Sequence, residues 1–202
     1  MRAAVDEFAQ HDYETASISK IVAEVGIAKG SFYQYFEDKL DLYQYLLQEG
    51  TRMKGQFLAQ HPPTADTANP FVYLRWLLKV GMHFEFAYPK LARIAQQALS
   101  GQGPFSPEWQ RTMEVESLKF FSSLLTQGIA NGYLRQDLNV ETSAYVFFSV
   151  MRDMSLYVLN RLQISSEDSD LMVVFAQREA EVEALFDELF VTLEKGMAVT
   201  QA

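Results

Sequence analysis

The chain has 202 residues, 49% of them hydrophobic and 13% aromatic, with no cysteine and a formal net charge of −9. That length and apolar content allow a folded core without metal or disulfide support, and the missing cysteines exclude thiol nucleophiles and disulfide scaffolds. The negative charge repels phosphate at long range, so a nucleic-acid role has to rest on a few donors placed on one face. Residues 1–50 themselves hold four Lys or Arg against nine Asp or Glu. The opening MRAAVDEFAQ carries acids where a secretory signal needs an apolar stretch, and no run of about eighteen apolar residues occurs, so a cytoplasmic protein without a membrane span is expected.

Residues 2–10 have helical spacing, with Val5 and Phe8 three apart and Ala4 and Ala9 beside them. Ser17 suits a helix N-cap, although Lys20 rather than Glu stands three residues on, so no capping box forms. Ile18, Ile21, Val22 and Val25 mark the face of a short helix that Gly26 ends in the left-handed conformation, with Ile27 turned into the core. Lys29 opens a second short helix whose Phe32 and Phe36, at i and i+4, form its buried face. Gly30, Ser31, Tyr33, Gln34 and Tyr35 are left outside. Asp38 caps a longer helix expected to reach Gln60, with Leu42, Tyr45, Leu46, Met53 and Phe57 on its apolar side.

The stretch HPPTADTANP breaks the chain as a loop. Residues 71–88 then show aromatics on more than one face, the mark of a helix central to a core or lining a cavity. Pro89 ends it. Further helices are expected over 91–99, 109–129, 140–159 and 168–193; Val174, Phe175, Val182, Leu185, Phe186, Leu189, Phe190 and Leu193 recur along the last at threes and fours. The acids between Glu179 and Glu188 read as a solvated face. No strand alternation appears, so the expected fold class is all-α with about nine helices. Three short helices form a head over 1–45, and the larger body takes 46–202.

Two short helices joined through Gly26 outline a helix-turn-helix. In the second, Lys29 and the first amides can meet phosphate, while Ser31, Tyr33, Gln34 and Tyr35 present hydroxyl, amide and ring edges to a groove. The stretch AAVDEFAQHDYETASISKIVAEVGIAKGSFYQYFEDKLDLYQYLL resembles the N-terminal signature of the TetR/AcrR family of transcriptional regulators. The match is carried by Phe8, Tyr13, Ser17, Ile21, Gly26, Ile27, Lys29, Gly30, Ser31, Tyr33, Phe36 and Lys39. The segment GYLRQDLNVETSA is similar to the approach to the family's eighth helix.

The resemblance implies DNA contacts at Ser17, Ser19, Lys29, Gly30, Ser31, Tyr33, Gln34, Tyr35 and Lys39. Lys29, Lys39 and the Ser17, Ser31 and Tyr35 hydroxyls would face phosphate, with Ser19, Gly30, Tyr33 and Gln34 facing base edges. A side chain at Gly30 would hold the helix off the groove. Relatives commonly carry glycine where Asp12 stands, which implies a left-handed Asp12. They also carry a longer, often basic, segment before the first helix, which implies residues ahead of this start.

A single reading helix contacts too little DNA for a long operator, so a homodimer on a palindromic double-stranded site is expected. The last two helices form its interface, through Val182, Phe186, Leu189 and Phe190. The body's aromatic and methionine content fits an apolar cavity for a hydrophobic or amphipathic effector. Its lining is expected among Tyr73, Trp76, His83, Phe84, Trp109, Met113, Phe120, Tyr145, Phe148, Met151 and Arg152. The three histidines, at 11, 61 and 83, lie far apart in sequence, so neither a metal site nor another cofactor is expected. The resulting reading is a repressor released by a small molecule. Its rivals are a helical interaction protein without operator binding and an enzyme with an aromatic pocket, for which no nucleophile and base pair up.

Overall fold

The computed structural model describes residues 1–165 and 171–197. Among them are ten α-helices and no strand: α1 (Arg2–Gln10), α2 (Ile18–Val25), α3 (Lys29–Phe32), α4 (Lys39–Gln60), α5 (Pro70–Ala87), α6 (Pro89–Leu99), α7 (Pro107–Ala130), α8 (Val140–Arg161), α9 (Leu171–Gln177) and α10 (Glu179–Met197). The all-α class expected from the periodicity is therefore the one adopted. The chain packs as two compact units, 1–59 with 88–111 and 60–87 with 112–202. These units do not follow a linear division at residue 45, because α6 returns to pack on α1.

The first unit is organised around Tyr43, which is fully buried and meets Phe8 and Tyr13 edge-on at ring distances of 5.1 and 5.3 Å. Its hydroxyl donates to the Ile94 carbonyl at 3.0 Å, tying α4 to α6. Burial and the nearby Tyr13 push its pKa up to about 12, so it remains a neutral donor.

In the second unit α5 buries Phe71, Leu74, Leu78, Val80, Met82, Phe84 and Phe86, more than one face of the helix, as its aromatics on more than one face imply. α8 and α10 contribute Phe147, Val158, Val182 and Phe186 to this core. Val182, Phe186 and Phe190, expected at a subunit interface, are buried within their own chain, with Leu189 packed against them. The stripe is as apolar as its sequence indicates, but α5 and α9 cover it.

Two further expectations change here. The last helix is divided at Arg178, where i+3 bonds from Arg178 N–H to Phe175 and from Glu181 N–H to Arg178 tighten a turn; residues 168–170 of its expected span lie outside the described residues. The acidic run is more than a solvated face. Glu179, Glu183 and Asp187, one helical turn apart, pair with Arg75 and Lys79 of α5: Arg75 to Glu183 at 3.1 Å and to Asp187 at 2.5 Å, Lys79 to Glu179 at 3.3 Å and to Glu183. Burial raises the Glu183 pKa, but bonds from Lys79 and Arg75 outweigh it and hold the carboxyl below its usual range.

Candidate nucleic-acid interface

α2 ends at Gly26, whose φ of +75° is the left-handed region that a side chain rarely adopts, and the Ile27 N–H closes the turn on the Val22 carbonyl at 3.0 Å. α3 follows from Lys29 for four residues. Bonds from Tyr35 and Phe36 N–H to the Phe32 carbonyl, at 3.0 and 3.1 Å, carry the curvature on past its end. This keeps the Phe32 and Phe36 rings 5.5 Å apart behind the helix, with Phe32 buried.

The opposite face is open. Tyr35 is 79% exposed and Tyr33 50%, while Lys29, Gly30 and Gln34 are exposed and Ser31 half-buried. Tyr33 also rests edge-on against Phe32 at 5.1 Å, which limits the directions its hydroxyl can take. A Cβ built at Gly30 meets nothing within 4 Å, so the fold itself does not require glycine there. Ile27 departs from its expected burial. It is 43% exposed and, with Val25, Phe36 and Tyr45, borders an apolar cavity of about 240 Å³ among α1 to α4.

Three residues in or against the connection between α1 and α2 take roles that local spacing did not show. Ser17 is the N-cap of α2, but its hydroxyl makes no cap bond. Instead the Glu7 carboxylate, ten residues earlier on α1, accepts the Ser17 N–H at 2.8 Å. Asp12 is not left-handed, since Gln163 is the one non-glycine with positive φ among the described residues. Its carboxylate accepts the Thr15 N–H at 2.8 Å and the Thr15 hydroxyl, which makes the tight turn without glycine. Lys39, expected to face phosphate, turns its ammonium onto the carbonyls of Tyr13, Glu14 and Ala16 at 2.7, 3.1 and 3.2 Å and over the Tyr13 ring at 4.5 Å. Its three donors are thus engaged within the chain. Ser17 is half-buried and Ser19 exposed. The Asp38 carboxylate accepts the Asp41 N–H at 2.9 Å, the cap anticipated for α4.

The residues expected to line an effector cavity do not form one group. Tyr73, Trp76 and Phe120 gather, with ring distances from Tyr73 of 5.4 and 6.4 Å, and the Trp76 indole N–H donates to the His61 carbonyl at 2.7 Å. Phe148 and Met151 are half-buried at the edge of the second unit's core, and Met113 is half-buried too. Trp109 instead belongs to the first unit, stacked on Phe105 at 4.0 Å. Phe84 is buried as core. Tyr145 and Arg152 are exposed on α8, and the Arg152 guanidinium is paired with the adjacent Asp153. No cluster of three His, Asp or Glu side chains able to hold a metal occurs among the described residues.

His83 lies edge-on to Phe175 at 5.1 Å, and burial, reinforced by the Lys79 and His61 charges against Glu179 and Glu183, lowers its pKa. The fold therefore prefers the neutral ring. As pH falls through about 6.5 the unfolded chain gains a proton that the native chain does not, so stability drains away and levels off only below the depressed pKa. His83→Gln is expected to lose that component, and urea unfolding of both proteins between about pH 8 and 5 checks it.

A helix-turn-helix with an outward second helix, joined to a separate helical unit, defines a DNA-binding regulator. Residues 1–46 match the model for bacterial regulatory proteins of the tetR family, and residues 68–198 match the tetracyclin repressor-like C-terminal domain. The chain belongs to the TetR family of ligand-responsive, DNA-binding transcriptional regulators. It is similar to the crystal structure of a TetR family transcriptional regulator from Chloroflexus aurantiacus J-10-FL, with 38% identity, 98% of this chain and 91% of the other covered, and a TM-score of 0.85. The fatty acid metabolism regulator protein of Bacillus subtilis (strain 168) is 25% identical over 162 residues, 78% of this chain and 81% of its own. FadR from Bacillus subtilis in complex with stearoyl-CoA shares the fold, with a TM-score of 0.66 and 21% identity over 96% of both chains. No helix among the described residues is long and apolar enough to cross a membrane.

Proposed function

We propose that the chain is a cytoplasmic homodimeric repressor that binds a palindromic operator and is released by an amphipathic effector of the long-chain acyl thioester class. The outward polar and aromatic face of α3 carries this reading, because Phe32 and Phe36 already satisfy the core and leave Lys29, Tyr33, Gln34 and Tyr35 free for a groove. Gly30 supports it, since its open surroundings leave close approach to a duplex as the reason for a missing side chain. Ser31 adds a hydroxyl beside this face, and Ser17 and Ser19 add two at the start of α2. The effector class is supported by kinship to a fatty acid metabolism regulator and by the stearoyl-CoA in the FadR complex. On this chain Tyr73, Trp76 and Phe120, with Phe148 and Met151 on α8, supply the apolar contacts. Dimerisation falls to the outer face of α8, where Tyr145 and Leu156 are exposed.

Duplexes tiling the DNA beside the chain's own gene, titrated by fluorescence anisotropy with and without stearoyl-CoA, test both halves. Nanomolar binding to one duplex, weakened about tenfold or more by the thioester, is expected. Binding that no acyl thioester alters would remove the effector assignment. Absence of binding to every duplex would favour the interaction protein.

A further inference from the structure

Glu7 is a carboxylate only 8% exposed on a face of α1 that otherwise buries Ala3, Ala4, Phe8 and Ala9. An apolar side chain there would join the core without the cost of desolvating a charge. What Glu7 makes instead is a charge-assisted bond to the Ser17 N–H at 2.8 Å, with Lys20 Nζ 3.8 Å from the same oxygen and His11 Nδ1 3.5 Å from the other. In a capping box a Glu three residues inside a helix accepts the N-cap N–H. Lys20 occupies that place in α2, and Glu7 reaches across from α1 to supply the missing acceptor.

We propose that Glu7 is a positioning residue for operator binding, holding the start of α2, and through the Gly26 turn the reading face of α3, in register with the rest of the head; this rests on the DNA-binding function proposed above. The opposite charge on α4 acts on the same segment from the other side. Lys39 holds the carbonyls of Tyr13, Glu14 and Ala16 while Glu7 holds the Ser17 N–H, so three acceptors and one donor of the α1–α2 connection are fixed by two charged side chains on different helices. A dimer presents two heads, so an error in one start of α2 enters operator binding twice.

Glu7→Met keeps the side chain's length and removes both acceptor oxygens, whereas Glu7→Gln removes the charge and keeps one. Two measurements on the full chain decide the matter: amide hydrogen exchange at Ser17, and affinity for the tightest duplex that the wild-type protein selects from a random library. Glu7→Met is expected to raise Ser17 exchange and to weaken duplex binding, each about tenfold, with dimerisation unchanged. Glu7→Gln is expected to stay within about threefold of wild type in both, a rescue that a packing role would not produce. If Glu7→Met does not fold, Glu7→Ala is read in the same way. Unchanged Ser17 exchange or unchanged duplex affinity in the apolar variant, or a Gln variant no better than it, overturns the proposal. If the wild-type chain selects no duplex, the operator-binding function falls, and the exchange measurement still decides whether Glu7 holds the start of α2.

Discussion

Tyr145→Glu combined with Leu156→Glu is expected to convert the protein to a monomer and to weaken operator binding about a hundredfold or more. The two side chains, 57% and 50% exposed, stand eleven residues apart on α8, three helical turns along one side of the helix. Nothing in their own unit covers them, whereas the apolar stripe of α10 is already used by the core. Exposed apolar groups along one side of a helix mark a contact surface. A twofold axis would place each new carboxylate twice in one interface, so repulsion and desolvation add to the lost apolar contact. A monomer engages one half-site and forfeits the effective concentration that linkage to the second head provides. Sedimentation equilibrium at micromolar concentration, beside anisotropy on the same samples, checks the result; an intact dimer would move the interface elsewhere.

The combined change of Lys29, Tyr33 and Tyr35 to alanine is expected to reduce duplex affinity about a thousandfold while leaving dimerisation and effector binding in place. Each contact with a phosphate or base edge is worth roughly 1–3 kcal/mol, and every substitution acts in both heads of the dimer. The cost to folding is small because these side chains lie outside the core, apart from the edge contact of Tyr33 with Phe32. Competition anisotropy against the wild-type operator, with the salt dependence recorded, separates the two kinds of contact. Lys29 alone should flatten the salt slope by about one per phosphate released, whereas the tyrosines should change preference among sequences. Equal affinity of the triple variant would place DNA recognition on a different surface.

Most of the head was legible because its determinants act within a turn or two. Gly26 terminates α2 by its own conformational freedom, Asp38 caps α4 through an amide three residues away, and the Phe32 and Phe36 spacing alone decides which side of α3 faces inward. Exposure of Lys29 and Tyr35 follows from that orientation.

What tertiary structure decided were the partners far apart in sequence. The Ser17 cap comes from Glu7, the Lys39 ammonium goes to carbonyls 23 to 26 residues back, and Glu183 answers Arg75 across 108 residues. The same holds for the apolar stripe of α10 and for Trp109. Periodicity by itself determined that those side chains need cover, but the surface that supplies it belongs to another helix, and only packing assigned Phe186 to its own core and Trp109 to Phe105. Sequence sets what each helix must bury or bond; which neighbour meets that demand depends on three-dimensional proximity, which linear spacing does not encode.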